Sequence, residues 1–354
     1  AQESSTAQDS EHLLATRLDR IVSDPALIRA HVGLAVQVAE TGDVLYEKEA
    51  EKRFVPASNT KIVTAAVALD ALPPRFRWTT RIVADGPVRD GSLQGDLWII
   101  GGGDPVLSRS DVAGWTAILN KAGIKRIDGD IIGDDRVFED GQWGDGWMWN
   151  DVYGGWATGI SGLQLHPNTV RAYLIPGATL GDETRMELRG GGPALPIENR
   201  VLTGAPGSEV RLEFLPPPEG GDVRLEGWVP LGPDTVPLYL ATPHPTLYML
   251  DYLGDLLQRE GIEVSGETRR AGPTDRPSAP TWSTELHSEP LSTVVTKMLK
   301  PSDNQIAETV LRTIGREAGD GGSVESGLEV VRETLAAWGI EPGAVSLSDG
   351  SGLS

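Results

Sequence analysis

Helix-type and strand-type patterns are segregated along this chain, and that segregation most constrains its fold. Apolar side chains recur at helical spacing near the N-terminus, in residues 11–24, and again in residues 289–340. Between them, from about residue 73 to 285, short strand-like runs alternate with glycine and proline turns. We therefore predict an α/β (α+β) domain that is split in the sequence, with β-rich domains inserted into it.

The predicted domain boundaries follow from this change of pattern. Residues 1–72 and 286–354 are assigned to the split domain, and residues 73–285 to the inserted region. The inserted region is predicted to form two small domains, approximately 73–171 with 241–285, and 172–240. Near the N-terminus, two strand-like runs joined by Thr41-Gly42-Asp43 predict a hairpin.

Composition excludes several classes of function. The 31 basic residues face 51 acidic ones, and a net charge of −20 repels phosphate backbones, so we expect no nucleic-acid partner. The chain has no cysteine, which excludes disulfides and thiol catalysis. No apolar run is long enough to predict a transmembrane segment. The polar, acidic start "AQESSTAQDSEH" is typical of a mature end after signal-peptide removal, the alternative being a chain trimmed for expression.

Residues 54–72, "FVPASNTKIVTAAVALDAL", are predicted to contain a helix that begins near Pro56. Ser58 and Lys61 are three positions apart and would share one face of it. A serine becomes a strong nucleophile when a base takes its proton, and a lysine is such a base only when its pKa is lowered. The alternative is an ordinary helix start with a surface lysine. The apolar face is predicted at Ile62, Ala65, Ala66 and Leu69.

A second polar motif, Ser302-Asp303-Asn304, follows Pro301 and precedes the helical pattern that begins at about Gln305. Serine, aspartate and asparagine are common capping residues, so this motif alone has a purely structural interpretation. The functional interpretation places the Ser302 hydroxyl and the Asn304 amide in a cleft. Both motifs occur in this order at helix boundaries, and that combination favours the functional interpretation.

The pair Ser-x-x-Lys and Ser-Asp-Asn resembles penicillin-binding proteins and class A β-lactamases. The long β-rich interval from Ser58 to Ser302 resembles the low-molecular-mass class C penicillin-binding proteins, the D-alanyl-D-alanine carboxypeptidase/endopeptidase family. The resemblance runs from about residue 12 to 354 and implies a split penicillin-binding/serine β-lactamase-like transpeptidase domain. It is also carried by "GGGDPVLS" (101–108), "GWMWNDVYGGWATGISGLQLHPNTV" (146–170) and "LSDGSGLS" (347–354).

The resemblance implies a serine D,D-peptidase that acts on peptidoglycan stem peptides through an acyl-serine and binds β-lactam antibiotics. Ser58 would be the acylated nucleophile and Lys61 its general base. Ser302 would pass the proton to the leaving D-alanine, and Asn304 would orient the substrate and Lys61. Such enzymes are exported to the periplasm or the extracellular cell-wall space. No metal or organic cofactor is implied, and the oligomeric state is left open.

The region from 146 to 170 is expected to bind the stem peptide through Trp147, Asn150 and Asp151. Relatives often carry an acidic residue where Asn150 stands, and the adjacent Asp151 is the alternative for that role. For the tryptophans two alternatives stay open, packing between domains and direct contact with substrate. They are Trp143, Trp147, Trp149 and Trp156.

The chain departs from the family pattern because it contains no Lys-Thr-Gly, a motif that in the family lies beyond the closing "DGSGLS". We expect that a C-terminal part is missing, the alternatives being a non-catalytic peptidoglycan- or protein-binding relative and a serine β-lactamase.

His166 and His244 are predicted to lie at the surface, and Asp104 to cap a turn after the strand-like "DLWII".

Overall fold

The computed structural model describes residues 2–148, 150–189, 197–215 and 223–354, and it describes side chains from residue 12 onward. The chain divides into two compact units, residues 1–55 and residues 56–354. Among the described residues, no helix is both long enough and apolar enough to cross a membrane. The predicted boundaries at residues 72 and 285 stay predictions.

The first unit contains one helix and one hairpin, as its sequence predicts. Helix α1 spans Gln2–Val22, and strands β1 (Leu34–Gln37) and β2 (Val44–Lys48) pair antiparallel across the predicted turn. The Tyr46 hydroxyl of β2 donates a hydrogen bond of 2.7 Å to Asp19 of α1. Between α1 and β1, Asp24 caps a short 3₁₀ turn by accepting the Ala26 N–H at 2.8 Å.

The helices of the second unit fall into two groups. Helices α2, α6, α7 and α8 pack around one apolar core, and their positions agree with the predicted helical segments. Helices α3, α4 and α5 lie within the segment predicted to be β-rich, where no helix was predicted. The bounds are α2 Thr60–Ala71, α3 Arg109–Ala113, α4 Trp115–Lys121, α5 Pro245–Arg259, α6 Leu291–Leu299, α7 Asn304–Ala318 and α8 Val324–Ala337.

The predicted apolar face of α2 is wrong at Ile62 and Leu69 and is confirmed at Ala65, which is 4% exposed. Ile62 is 58% exposed and Leu69 is 38% exposed, whereas the face that includes Lys61 and Thr64 is buried. The buried face also carries Val67 and Ala68, which are fully inaccessible to solvent. Polar atoms of α2 hydrogen-bond to the chain around residue 350, and these bonds make it favourable to bury Lys61 and Thr64.

Within the described ranges, the strands of the second unit form four sheets. The largest has the order β16-β8-β6-β3-β17 and packs against α5, and a smaller one has the order β15-β7-β5-β4. The other two have the orders β10-β9-β14 and β11-β13-β12 and share a small core of their own. The bounds are β3 Thr79–Asp85, β4 Val88–Arg89, β5 Ser92–Leu93, β6 Asp96–Ile100, β7 Arg126–Ile127, β8 Ile131–Asp134, β9 Thr169–Ile175, β10 Arg185–Arg189, β11 Ile197–Gly204, β12 Arg211–Leu215, β13 Val223–Pro230, β14 Val236–Ala241, β15 Glu263–Val264, β16 Thr268–Arg270 and β17 Pro280–His287.

Candidate active site

Ser58 and Lys61 meet at the N-terminal end of α2. Ser58 lies in a 3₁₀ turn, Ala57–Asn59, which leads directly into the helix. Its side chain is exposed, whereas Lys61 is only 1% exposed. The Lys61 Nζ lies 3.1 Å from the Ser58 Oγ and donates a second hydrogen bond of 2.8 Å to the Ser351 carbonyl. An accessible hydroxyl is therefore held against a buried amine.

The electrostatic surroundings of Lys61 favour a base. Burial lowers the pKa of the Lys61 amine below its ordinary value, and the negative charges of Asp349, Glu308 and Asp303 partly oppose that effect. A neutral amine at this position can accept the Ser58 hydroxyl proton across the existing 3.1 Å contact. The pair therefore has the geometry of an activated nucleophile.

The Ser302-Asp303-Asn304 segment lies at the start of α7. Asp303 is the N-cap residue, and one of its carboxylate oxygens accepts the Ile306 N–H at 2.9 Å. Ser302 is exposed and has a φ of 62°, a left-handed conformation that is uncommon outside glycine. The negative charge of Asp303 opposes the effect of burial on the pKa of Lys61, so this segment contributes to the electrostatic surroundings of the Ser58–Lys61 pair.

His166 supports that segment, and its predicted surface position is confirmed only in part. The His166 Nε2 lies 2.9 Å from the second carboxylate oxygen of Asp303, and the side chain is 23% exposed. Burial alone would raise the pKa of Asp303, but the hydrogen bond and charge of His166, the Ile306 N–H and the charge of Lys61 together lower that pKa. The sequence offered no signal for this contact because 137 positions separate the two residues.

The predicted substrate residues lie around this segment in two places. Asn304 donates its side-chain N–H to the Trp156 carbonyl at 2.8 Å. Trp156 is 54% exposed, and it lines a cavity of about 580 Å³ together with Asn150 and Asp151. The Trp147 indole N–H instead donates to a carboxylate oxygen of Asp349 at 2.9 Å. Asn150 and Asp151 are thus brought together at a cavity, and Trp147 is bonded to the chain near residue 350.

The tryptophan alternatives are only partly resolved by these positions. Trp147 packs through its hydrogen bond to Asp349, and Trp143 is 39% exposed. Trp149 lies outside the described residues. Direct contact of any of the four with substrate stays a prediction.

A turn built on Asp349 was missed by the sequence analysis as a part of the site. The Asp349 carboxylate accepts backbone N–H groups from residues 351 to 354, at 2.6 to 3.1 Å, in addition to the Trp147 indole. Burial alone would raise the pKa of Asp349, but hydrogen bonds, beginning with that of the Ser354 hydroxyl, lower it. This turn places the Ser351 carbonyl on Lys61. The run Asp-Gly-Ser-Gly is a turn signal that could have indicated it.

Comparison with known proteins identifies the family of this chain. The family model described as "D-Ala-D-Ala carboxypeptidase 3 (S13) family" matches residues 14–354. The chain belongs to this family. The resemblance to class C penicillin-binding proteins inferred from the sequence motifs is thereby confirmed.

Relatives within the S13 family cover most of the chain. A D-alanyl-D-alanine carboxypeptidase from Actinomadura sp. (strain R39) is 30% identical over 344 residues, which are 95% of this chain and 64% of the relative. The D-alanyl-D-alanine carboxypeptidase DacB from Haemophilus influenzae is 26% identical over 92% of this chain and 67% of the relative. The chain therefore spans about two thirds of the length of these relatives.

The crystal structure of penicillin-binding protein 4 (dacB) from Haemophilus influenzae superimposes with a TM-score of 0.79 at 26% identity. The match covers 91% of this chain and 71% of that structure. The predicted α/β fold of the penicillin-binding type is thereby confirmed.

Proposed function

We propose that this member of the S13 family is a serine D,D-peptidase, a D-alanyl-D-alanine carboxypeptidase or endopeptidase that acts on peptidoglycan through an acyl-serine. The observation that carries the proposal is the buried Lys61 amine, 3.1 Å from the exposed Ser58 hydroxyl. A surface lysine beside a helix start would have an ordinary pKa and no fixed partner. Burial lowers the pKa of Lys61, and that is the property a general base needs.

In the proposed acylation, the Ser58 oxygen attacks the carbonyl carbon between two D-alanines while Lys61 takes the hydroxyl proton. The tetrahedral intermediate collapses, the C–N bond breaks, and Ser302 relays the proton to the departing D-alanine amine. Water then hydrolyses the ester and restores the Ser58 hydroxyl. In a β-lactam the same attack opens the ring, the leaving nitrogen stays tethered, and a slowly hydrolysed adduct remains.

The proposed substrate contacts use the described positions of two segments. Because one of the two Asn304 amide N–H groups is held by the Trp156 carbonyl at 2.8 Å, the second N–H and the amide oxygen are the groups assigned to orient substrate or Lys61. Asn150 and Asp151 line the 580 Å³ cavity beside Trp156 and are proposed to contact the stem peptide. Trp147 is held by its hydrogen bond to Asp349, and its contact with the stem peptide stays a prediction. A peptidoglycan substrate implies export to the cell-wall space.

Mass spectrometry of the intact protein with and without benzylpenicillin tests this proposal. We expect one covalent adduct that maps to Ser58, is absent in Ser58→Ala, and persists in the control Ser292→Ala, an exposed serine on α6. The same proteins are then assayed for D-alanine release from a peptide that ends in D-Ala-D-Ala. An adduct without D-alanine release, and with rapid hydrolysis of the antibiotic, would indicate a β-lactamase. Neither adduct nor release from the full-length protein would leave the non-catalytic relative as the better description.

A further inference from the structure

The backbone N–H and carbonyl of Gly350 are each hydrogen-bonded to a buried side chain. Glu308 of α7 accepts the Gly350 N–H at 2.9 Å. Thr64 of α2 donates its hydroxyl to the Gly350 carbonyl at 2.7 Å. The next carbonyl along the chain, that of Ser351, accepts the Lys61 amine at 2.8 Å. The position of the Gly350 backbone therefore sets where the Ser351 carbonyl meets Lys61.

Gly350 packs directly against α7, the helix that carries Glu308, so a change at Glu308 can shift the Gly350 backbone. A Cβ added to Gly350 would lie 2.9 Å from the Ala307 carbonyl oxygen and 2.9 Å from the Leu311 Cβ. Real Cβ atoms do not approach other atoms so closely, so only glycine lets the chain rest on the helix here. Where Gly350 packs against α7, the Glu308 carboxylate of the helix accepts the Gly350 N–H.

Burying the charged Glu308 carboxyl at this position costs free energy of folding. It is 0% exposed, and the Arg312 guanidinium with which it pairs is 3.5 Å away and also bonded to Asp140. Burial raises the pKa of Glu308 to about 7, the charge of Asp349 adds to the rise, and Arg312 opposes it. Well-packed apolar side chains often replace both members of a buried ion pair, such as Glu308 and Arg312, without loss of stability. Stability alone therefore does not explain a glutamate here.

We propose that Glu308 is a positioning residue for Lys61, which it serves by holding the Gly350–Ser351 backbone against the lysine amine and by placing a negative charge beside it. The proposal rests on the proposed function in one respect, the role of Lys61 as the base. Charged Glu308 favours the ammonium form of Lys61, together with Asp349 and Asp303. When Glu308 binds a proton, one of these three charges is removed and the free amine becomes more accessible.

Titration of Lys61 by NMR tests the charge effect directly. The chain has seven lysines, so ¹³C-labelled lysine gives a simple spectrum, in which Lys61 is assigned by the signal lost in Lys61→Met. Glu308→Gln keeps a carbonyl acceptor for the Gly350 N–H but removes the charge. We expect the Lys61 midpoint to fall by about one pH unit, the order of one nearby unit charge at an intermediate dielectric. Glu317→Gln, an exposed position on the same helix, is the control and leaves the midpoint in place.

The rate of acylation by a fluorescent penicillin tests the positioning effect. Glu308→Ala removes the acceptor of the Gly350 N–H, and we expect the maximal rate to fall roughly tenfold, with Glu308→Gln restoring part of the loss. An unshifted Lys61 midpoint in Glu308→Gln would overturn the proposal, even if Glu308→Ala fails to fold. Because the titration needs no substrate, it decides the matter even when the unsubstituted protein forms no acyl-enzyme, an outcome that refutes the proposed function alone.

Discussion

Replacement of Asp104 by asparagine should stabilise this protein at alkaline pH and not at acid pH. Asp104 is 8% exposed and accepts the Val106 N–H at 2.9 Å in the turn after β6. Burial raises the pKa of Asp104 from 3.8 to about 6, and the negative charges of Asp111 and Glu289 add to the rise. The Val106 hydrogen bond and His166 oppose it. Asparagine has the same shape and keeps the acceptor oxygen without the charge.

The size of the effect follows from the two pKa values. Because the folded protein binds this proton more tightly than the unfolded chain, the associated stabilisation is complete below pH 3.8 and is lost as the pH rises through about 6. At 1.36 kcal/mol for each pH unit between the two values, the loss is ~3 kcal/mol. Asp104→Asn removes this loss. The variant should match the unsubstituted protein near pH 4 and exceed its free energy of unfolding by up to ~3 kcal/mol at pH 8.

Equilibrium urea denaturation followed by circular dichroism at pH 4, 6 and 8 measures the difference. Glu308 also loses stabilisation as the pH rises, since burial raises its pKa to about 7, so the two proteins are compared at each pH. Asp70→Asn, an exposed position on α2, is the control, with an expected effect within about 0.5 kcal/mol at every pH. An effect of Asp104→Asn that is equal at pH 4 and pH 8 would refute the reasoning from burial.

Two further substitutions test the packing around the site. Arg312→Met should reduce the free energy of unfolding by about 3–5 kcal/mol, because it leaves the buried Glu308 without its cation. In the same urea denaturation, the control Arg332→Met, at an arginine that is 58% exposed, should reduce it by under about 1 kcal/mol. Gly352→Ala should lower both thermal stability and penicillin acylation, because a Cβ there would lie 1.8 Å from the Ala57 carbonyl oxygen at a φ of 75°. A Gly352→Ala protein with unchanged melting temperature and acylation rate would contradict the structure of this turn.

Local patterns of the sequence were sufficient to predict most secondary structure. The helix that follows Ser58, the helix that begins at Asn304, the hairpin at Thr41-Gly42-Asp43 and the capping role of Asp104 are confirmed. Helix α5 was missed, although Pro245 at its start and the leucines at 250, 253 and 257 follow helical spacing. These features depend on neighbours within about one helical turn, and they are therefore visible in a single segment.

The sequence alone determined which residues have the chemistry and which of them share a helix end: a serine and a lysine three positions apart, and a polar motif before a second helix. Only the tertiary structure decided that Lys61 is buried, because the segment that contacts its amine lies near residue 350, some 290 positions away in the sequence. The same is true of His166 on Asp303 and of Glu308 under Gly350. Burial and charge, which set a pKa, are properties of what surrounds a group in space, and local spacing carries no record of them.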